Sequence, residues 1–275
     1  MPTPTAPVTA SATASATTVV PSSANGTTAP ASAAPAVVSN PTNAAFAAVV
    51  SDAAGATVTT LANDFIEVRF SDFGGAVREV AFHKRDRRDK LIYPAELGGT
   101  TPFAFNALHA DPMLAFVDFP GLDRHTRYER VSESSTEVVY RTVLDGKLEV
   151  TRHYTLPPNN GDTTDPYQLH LETTFRNLTD QTVSPARVAL SIGTAAPTDA
   201  HDIGDLLTTG YSNGKDQNFT ARRGLEGGSG FFGIGASEQK ASIASPGPLV
   251  WTAVGNKFFT TILTPSEPAA GLVTR

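Results

Sequence analysis

From about Thr57 onward the chain is written in short runs that alternate apolar and polar residues. In FIEVRF, Ile66, Val68 and Phe70 share one face while Glu67 and Arg69 take the other. In LHLETTF, Leu169, Leu171, Thr173 and Phe175 oppose His170, Glu172 and Thr174, and RVALSI aligns Val188, Leu190 and Ile192. KLEVTRHYTL sets Leu148, Val150, Tyr154 and Leu156 in line, with Arg152 as the exception. A period of two with one apolar face predicts half-buried antiparallel strands. Turn signals separate the runs: Asp72-Phe73-Gly74-Gly75, Asp145-Gly146, Pro157-Pro158-Asn159-Asn160-Gly161, Asn213-Gly214 and Pro246-Gly247-Pro248. No helical stripe of ten or more residues follows residue 56. The expectation is an all-β sandwich of antiparallel strands, and a large one at about 220 residues.

Residues 1–56 have a different texture, composed almost throughout of Ala, Pro, Ser, Thr and Val. Such a segment has almost no large side chains to build a core, Phe46 being its one aromatic, and its prolines favour extended backbone, so a disordered linker or spacer is expected there. The domain is then residues 57–275.

Composition narrows the chemistry. The 275 residues carry a net charge of -6, and the first sixty hold a single charged residue, Asp52. A mildly acidic chain without a basic stripe is not expected to bind nucleic acid. With no cysteine there is no disulfide, no thiolate nucleophile and no Cys-ligated metal. No run approaches the roughly 18 apolar residues that cross a bilayer, and the start lacks the basic flank and apolar centre of a signal peptide.

Candidate sites each have a plainer reading. Gly228 to Gly233 spells G-x-G-x-x-G, yet neither a preceding strand nor a following helix is predicted, so a glycine-rich loop is the better account. The six histidines, His83, His109, His125, His153, His170 and His201, show no metal-ligand spacing. His201-Asp202 with Asp205 is the nearest to a cluster and reads as a polar turn. No carboxylate pair and no G-x-S-x-G elbow stands out. KRDRRDK, residues 84–90, reads as a solvated hairpin end, with contact to anionic lipid headgroups as the sharper alternative. No catalytic, cofactor or metal residue is assigned, and enzymatic activity is not expected.

The stretch WTAVGNKFFTTILTP, residues 251–265, holds the only tryptophan, and Trp251 with the Phe258-Phe259 pair reads as core. Its order of Trp, polar turn at Asn256-Lys257, aromatic pair, apolar strand and Pro265 resembles the large periplasmic domain of the bacterial membrane protein insertase YidC (YidC/Oxa family). TTLANDFIEVRFSDFGGAVREVAFHKR, with its Gly74-Gly75 pair, resembles the opening of that domain, and KLEVTRHYTL followed by DPYQLHLETTFRNLTDQTV resembles its paired long strands. The three matches keep the family's order over about 200 residues.

The resemblance implies a β-supersandwich of the galactose mutarotase-like kind, set in the periplasm of an inner-membrane protein. It implies an accessory role beside the Sec translocon and its SecDF component, with nascent membrane proteins received by a membrane core whose residues are not in this sequence. Compared with the family, the domain is expected to be incomplete at its C-terminal end and to show an unpaired edge. The related fold also carries sugar enzymes, so a carbohydrate-binding domain is the alternative. Where such an enzyme might place H-x-Y-F-N this chain has NKFFT, which lacks the histidine.

Overall fold

The computed structural model describes residues 55–107, 111–158, 165–182, 188–198, 201–228 and 237–275. The expected linker lies outside these residues except at its last two positions. A first antiparallel sheet runs in sequence order through β1 (Val58–Ala62), β2 (Ile66–Ser71), β3 (Ala76–Phe82) and β4 (Ala104–Phe105). After a short strand β5 (Phe116–Val117), a second antiparallel sheet follows in order from β6 (Glu129–Glu133) through β7 (Glu137–Leu144), β8 (Leu148–Thr155) and β9 (His170–Asn177). Next come β10 (Ala189–Leu190), which pairs β5, then β11 (Thr208–Ser212), β12 (Gln217–Ala221) and the one-turn helix α1 (Arg223–Glu226). The chain ends with β13 (Ile243–Leu249), β14 (Trp251–Gly255), β15 (Thr260–Leu263) and β16 (Ala269–Thr274). The third sheet is ordered β12-β11-β14-β15, and β13 pairs β16 as a separate ribbon. The protein is all-β and its sheets are antiparallel, as the alternating pattern predicts.

The first two sheets bury their apolar faces on one another. Ile66, Val68 and Phe70 of β2 are buried together with Val138 and Tyr140 of β7 and Val150 and Tyr154 of β8. The Phe70 ring centroid lies 4.8 Å from that of Tyr154 and 6.4 Å from that of Tyr140. Fully burying side chains of this size is worth about 1.5–3 kcal/mol each, so this layer is the main source of stability. Arg152, the exception in the pattern of β8, keeps its place on the inward face and is fully buried. Its Nη1 donates to the Gly74 carbonyl at 2.8 Å and its Nη2 to the Leu114 carbonyl.

Turn chemistry follows the sequence at Asp72 to Gly75, Asp145-Gly146 and Asn213-Gly214, whereas Asn159-Asn160-Gly161 lies outside the described residues. Asp145 and Gly146 both take positive φ, 50° and 66°, which is the turn that matches strand twist between β7 and β8. Gly75 is required for two reasons, a φ of 51° and the Tyr128 ring, whose Cγ would lie 2.8 Å from an added Cβ. Burial on the inward side weakens from β8 to β9: Val150 and Tyr154 are sealed, whereas Leu171 and Phe175 are half-buried at the sheet's edge.

Three expectations are corrected. Pro246-Gly247-Pro248 is no turn and lies inside β13, which tolerates two prolines because, among the described residues, β16 is its single partner and the register is irregular between Pro246 and Leu249. The run from Val188 to Ile192 makes only the two-residue strand β10, and Val188 is exposed while Leu190 and Ile192 pack on the core. Trp251 is half-buried on β14 rather than sealed in the core, and Phe258 is 66% exposed.

Burial pushes the Tyr128 phenol up to about 12 and raises Tyr140 and Tyr154 as well, in each case chiefly by desolvation. The fold favours the neutral phenols. Their stabilisation is therefore complete below about pH 10, the ordinary tyrosine value, and declines as pH rises from there toward 12. A phenolate absorbance titration is expected to show these three residues ionising only along with unfolding. Smooth ionisation of all six tyrosines near the ordinary value, with the β-sheet circular dichroism intact, would refute their burial.

Candidate functional site

The described histidines do not converge. His83 Nε2 contacts the Asn63 carbonyl, and Arg124 Nε donates to His125 Nε2 at 3.1 Å in an exposed loop. His153 Nε2 lies 3.3 Å from Glu137 on the outer face of the second sheet, and His170 is exposed on β9. His109 lies outside the described residues. Among the described residues no three His, Asp or Glu side chains come together as a metal site. Asp202 closes its own loop: its carboxylate accepts from the Thr198 N–H at 3.0 Å and the Gly204 N–H at 2.9 Å, and these bonds hold it below the usual carboxylate range. Asp205 pairs instead with Arg223. At the glycine-rich loop, Gly228 and Ser237 exchange backbone hydrogen bonds of 3.0 and 2.9 Å, and residues 229–236 lie outside the described residues.

One polar pocket of about 270 Å³ opens beside the start of β1. Asp72 Oδ2 accepts from Arg127 Nε at 3.0 Å and Oδ1 from the Thr57 N–H at 2.8 Å. Arg130 donates to Thr59 Oγ1 at 3.0 Å and pairs with Glu133 at 2.5 Å. Tyr128 Oη and Tyr140 Oη are buried without a formed hydrogen bond, the latter near the Thr59 hydroxyl. Each charge in the pocket already faces its opposite. The arrangement ties β1 to the loop before β6 and to β6 itself.

Two surfaces are more informative. On the outer face of the third sheet, Phe219, Gly210, Ala253 and Ile262 stand directly opposite one another across four strands. Phe219 is 64% exposed and Ile262 61%. The Phe219 ring lies down across the sheet because Gly210 has no side chain, a Cβ there being 2.7 Å from the ring. Trp251, one pair along on the same face, has its ring centroid 6.1 Å from that of Phe219. Large apolar side chains grouped on a sheet's outer face are the usual mark of an interaction surface.

The second surface surrounds the NKFFT segment. Asn256 shapes this turn: its Oδ1 accepts from the Phe258 and Phe259 N–H groups at 3.1 and 2.9 Å, and its Nδ2 donates to the Ala196 carbonyl at 2.8 Å. The turn separates the aromatic pair. Phe258 is left in solvent, while Phe259 stacks on Phe103 with centroids 4.2 Å apart and planes at 7°, and lies 4.7 Å from Phe82. Tyr93 and Tyr167, both partly exposed, complete an aromatic cluster that joins the first sheet to the third. Nothing in period-two alternation marks Phe103 or Tyr93, since they lie in loops and short segments. Their signal was the density of Phe and Tyr between Phe82 and Phe105.

No family model matches the chain, and no curated protein matches its sequence at a significant level.

Replacing Phe259 by Ala is expected to lower stability by roughly 2–3 kcal/mol, below the range for a fully sealed Phe. Phe258→Ala should fall within about 0.5 kcal/mol of the parent. Denaturant unfolding of both variants measures the contrast, and equal midpoints for the two would contradict the division of the pair.

Proposed function

We propose that the chain is an accessory periplasmic domain of a YidC-type membrane protein insertase, a noncatalytic binding module that assists insertion and folding of inner-membrane proteins beside the Sec translocon. One observation carries this reading: the segments that bear the resemblance are joints of the fold. Gly74 and Gly75 receive hydrogen bonds from Arg152 and Tyr154 at 2.8 Å each. The long strands β8 and β9 are paired over their whole length, and Phe259 locks the first sheet to the third. In this reading insertion belongs to a membrane-embedded core. No helix among the described residues is long and apolar enough to cross a membrane. The domain contributes a surface, and the outer face bearing Phe219, Trp251 and Ile262 is the one that suits a protein partner.

That aromatic face also favours a second reading, a carbohydrate-binding domain, because the exposed polar Gln217 stands beside Phe219 and Trp251 on the same face. Photo-crosslinking from positions 219 and 262 in membranes containing the Sec machinery separates the two. Crosslinks to SecDF or the translocon are expected. Their absence, together with sugar binding in calorimetric titration that Trp251→Ala abolishes, would replace the insertase reading by the carbohydrate one.

A further inference from the structure

We propose that the end of the first sheet beyond β3 is a docking surface for an anionic membrane. The inference begins with the path of the chain. β3 continues past Phe82 to Arg85, which bridges Leu91, and the Ile92 N–H donates to the Lys84 carbonyl at 2.9 Å. The chain bends at Ile92-Tyr93 and turns back alongside residues 101–103: Phe103 N–H donates to the Tyr93 carbonyl at 2.9 Å, Ala95 N–H to the Thr101 carbonyl at 2.8 Å, and Pro94 bridges Pro102. All these pairings are antiparallel, as is β3 with β4. The chain therefore reverses three times, at 86–89, at 92–93 and at 96–99, and the first and last of these turns emerge from the same end of the sheet.

The first turn is the basic one. Residues 84–97 contain five basic side chains against three acidic ones, in a chain whose net charge is -6. Asp86, though exposed, caps its own turn, its Oδ1 accepting from the Arg88 and Lys90 N–H groups at 2.8 and 3.0 Å, which fixes the turn and holds its carboxyl below the usual range. Asp89 lies 3.7 Å from Arg85. Among the described residues no ion pair engages Arg87, Arg88 or Lys90.

The second turn is the apolar one. Leu97 at its tip is 105% exposed, beside Gly98 and Gly99, and Ile92 and Tyr93 are exposed at 46% and 37% between the two turns. A leucine placed wholly in water on a glycine-flanked tip contributes nothing to the fold. The aromatic cluster of Phe82, Phe103 and Phe259 gives both turns a firm base.

Charge complementarity selects an anion, and the neighbouring leucine and tyrosine select one with an apolar layer beneath it. A membrane surface satisfies both at once: guanidinium and ammonium groups meet headgroup phosphates while Leu97 enters the boundary with the acyl chains. An acidic protein would match the cations and leave the projecting Leu97 without a role. This inference does not rest on the insertase reading, because the chain needs no other protein in order to bind lipid. Residues 1–54, whose one charged residue is Asp52, add no cation.

The test is flotation of the full 275-residue chain with vesicles of phosphatidylcholine, with and without phosphatidylglycerol. Binding is expected only to the anionic vesicles, with release at high salt. R87Q/R88Q should lower the partition coefficient by roughly 30-fold, and L97S by roughly tenfold, with unchanged unfolding midpoints. No binding, equal binding to neutral vesicles, or anionic binding that either variant leaves intact would overturn the proposal. Capture of an acidic protein competitor in preference to vesicles would overturn it in favour of a protein partner.

Discussion

The buried guanidinium of Arg152 is the constraint on which the two main sheets depend. A charge withdrawn from water is costly unless its donors are satisfied, and no carboxylate is among this group's partners. Two backbone carbonyls each take one Nη donor, Gly74 on the β2–β3 turn and Leu114 ahead of β5, while Nε is buried with no hydrogen bond among the described residues, and the rings of Phe116 and Tyr154 lie 5.0 and 5.5 Å from its central carbon. Tyr154 adds its own hydroxyl to the Gly75 carbonyl. Apolar contact between sheets has no direction. These bonds do have direction, and they fix which turn of the first sheet meets which residue of the second. The glycine pair is needed for the same reason, since Gly75 brings its backbone against Tyr128 where a Cβ would collide.

That constraint was half visible in the sequence. Period two placed Leu148, Val150, Arg152 and Tyr154 on one face, and the structure keeps all four inward and buried. What alternation could not supply was a reason for an arginine there, because its acceptor lies 78 residues away in the chain. Local pattern identifies strands well and their partners poorly. The same limit explains Trp251, whose apolar neighbours suggested core; in the sheet it falls on the outer face with Phe219, a face that exists only once β11, β12 and β14 are paired. Pro246-Gly247-Pro248 misled for a related reason. Its dipeptides are turn formers in isolation, yet a strand with one partner has a free side on which missing N–H groups cost little.

Several carboxylates are held by near neighbours in the fold. Asp72 and Arg127, Asp205 and Arg223, and Asp202 with its loop N–H groups each close a loop or tie a strand. The surfaces were harder to read. KRDRRDK showed its charge openly, but the placement of Leu97 beside it follows from a bend at Ile92-Tyr93, where Pro94 signals a break without giving its direction.

The stretch from Trp251 to Pro265 connects these observations physically. β14 carries Trp251 on the outer face of the third sheet, and four residues past Gly255 the same strand pair sends Phe259 into the aromatic cluster under the two projecting turns. Asn256 makes this possible by satisfying both N–H groups of the aromatic pair while its amide grips the Ala196 carbonyl. The backbone of the turn is thereby held from three directions, and the Phe259 ring is fixed by the cluster it enters. Through Tyr93 and Phe103, Phe259 packs the segment beneath the two projecting turns against the end of the strand pair that carries Trp251, while Phe258, one residue earlier, stays in solvent.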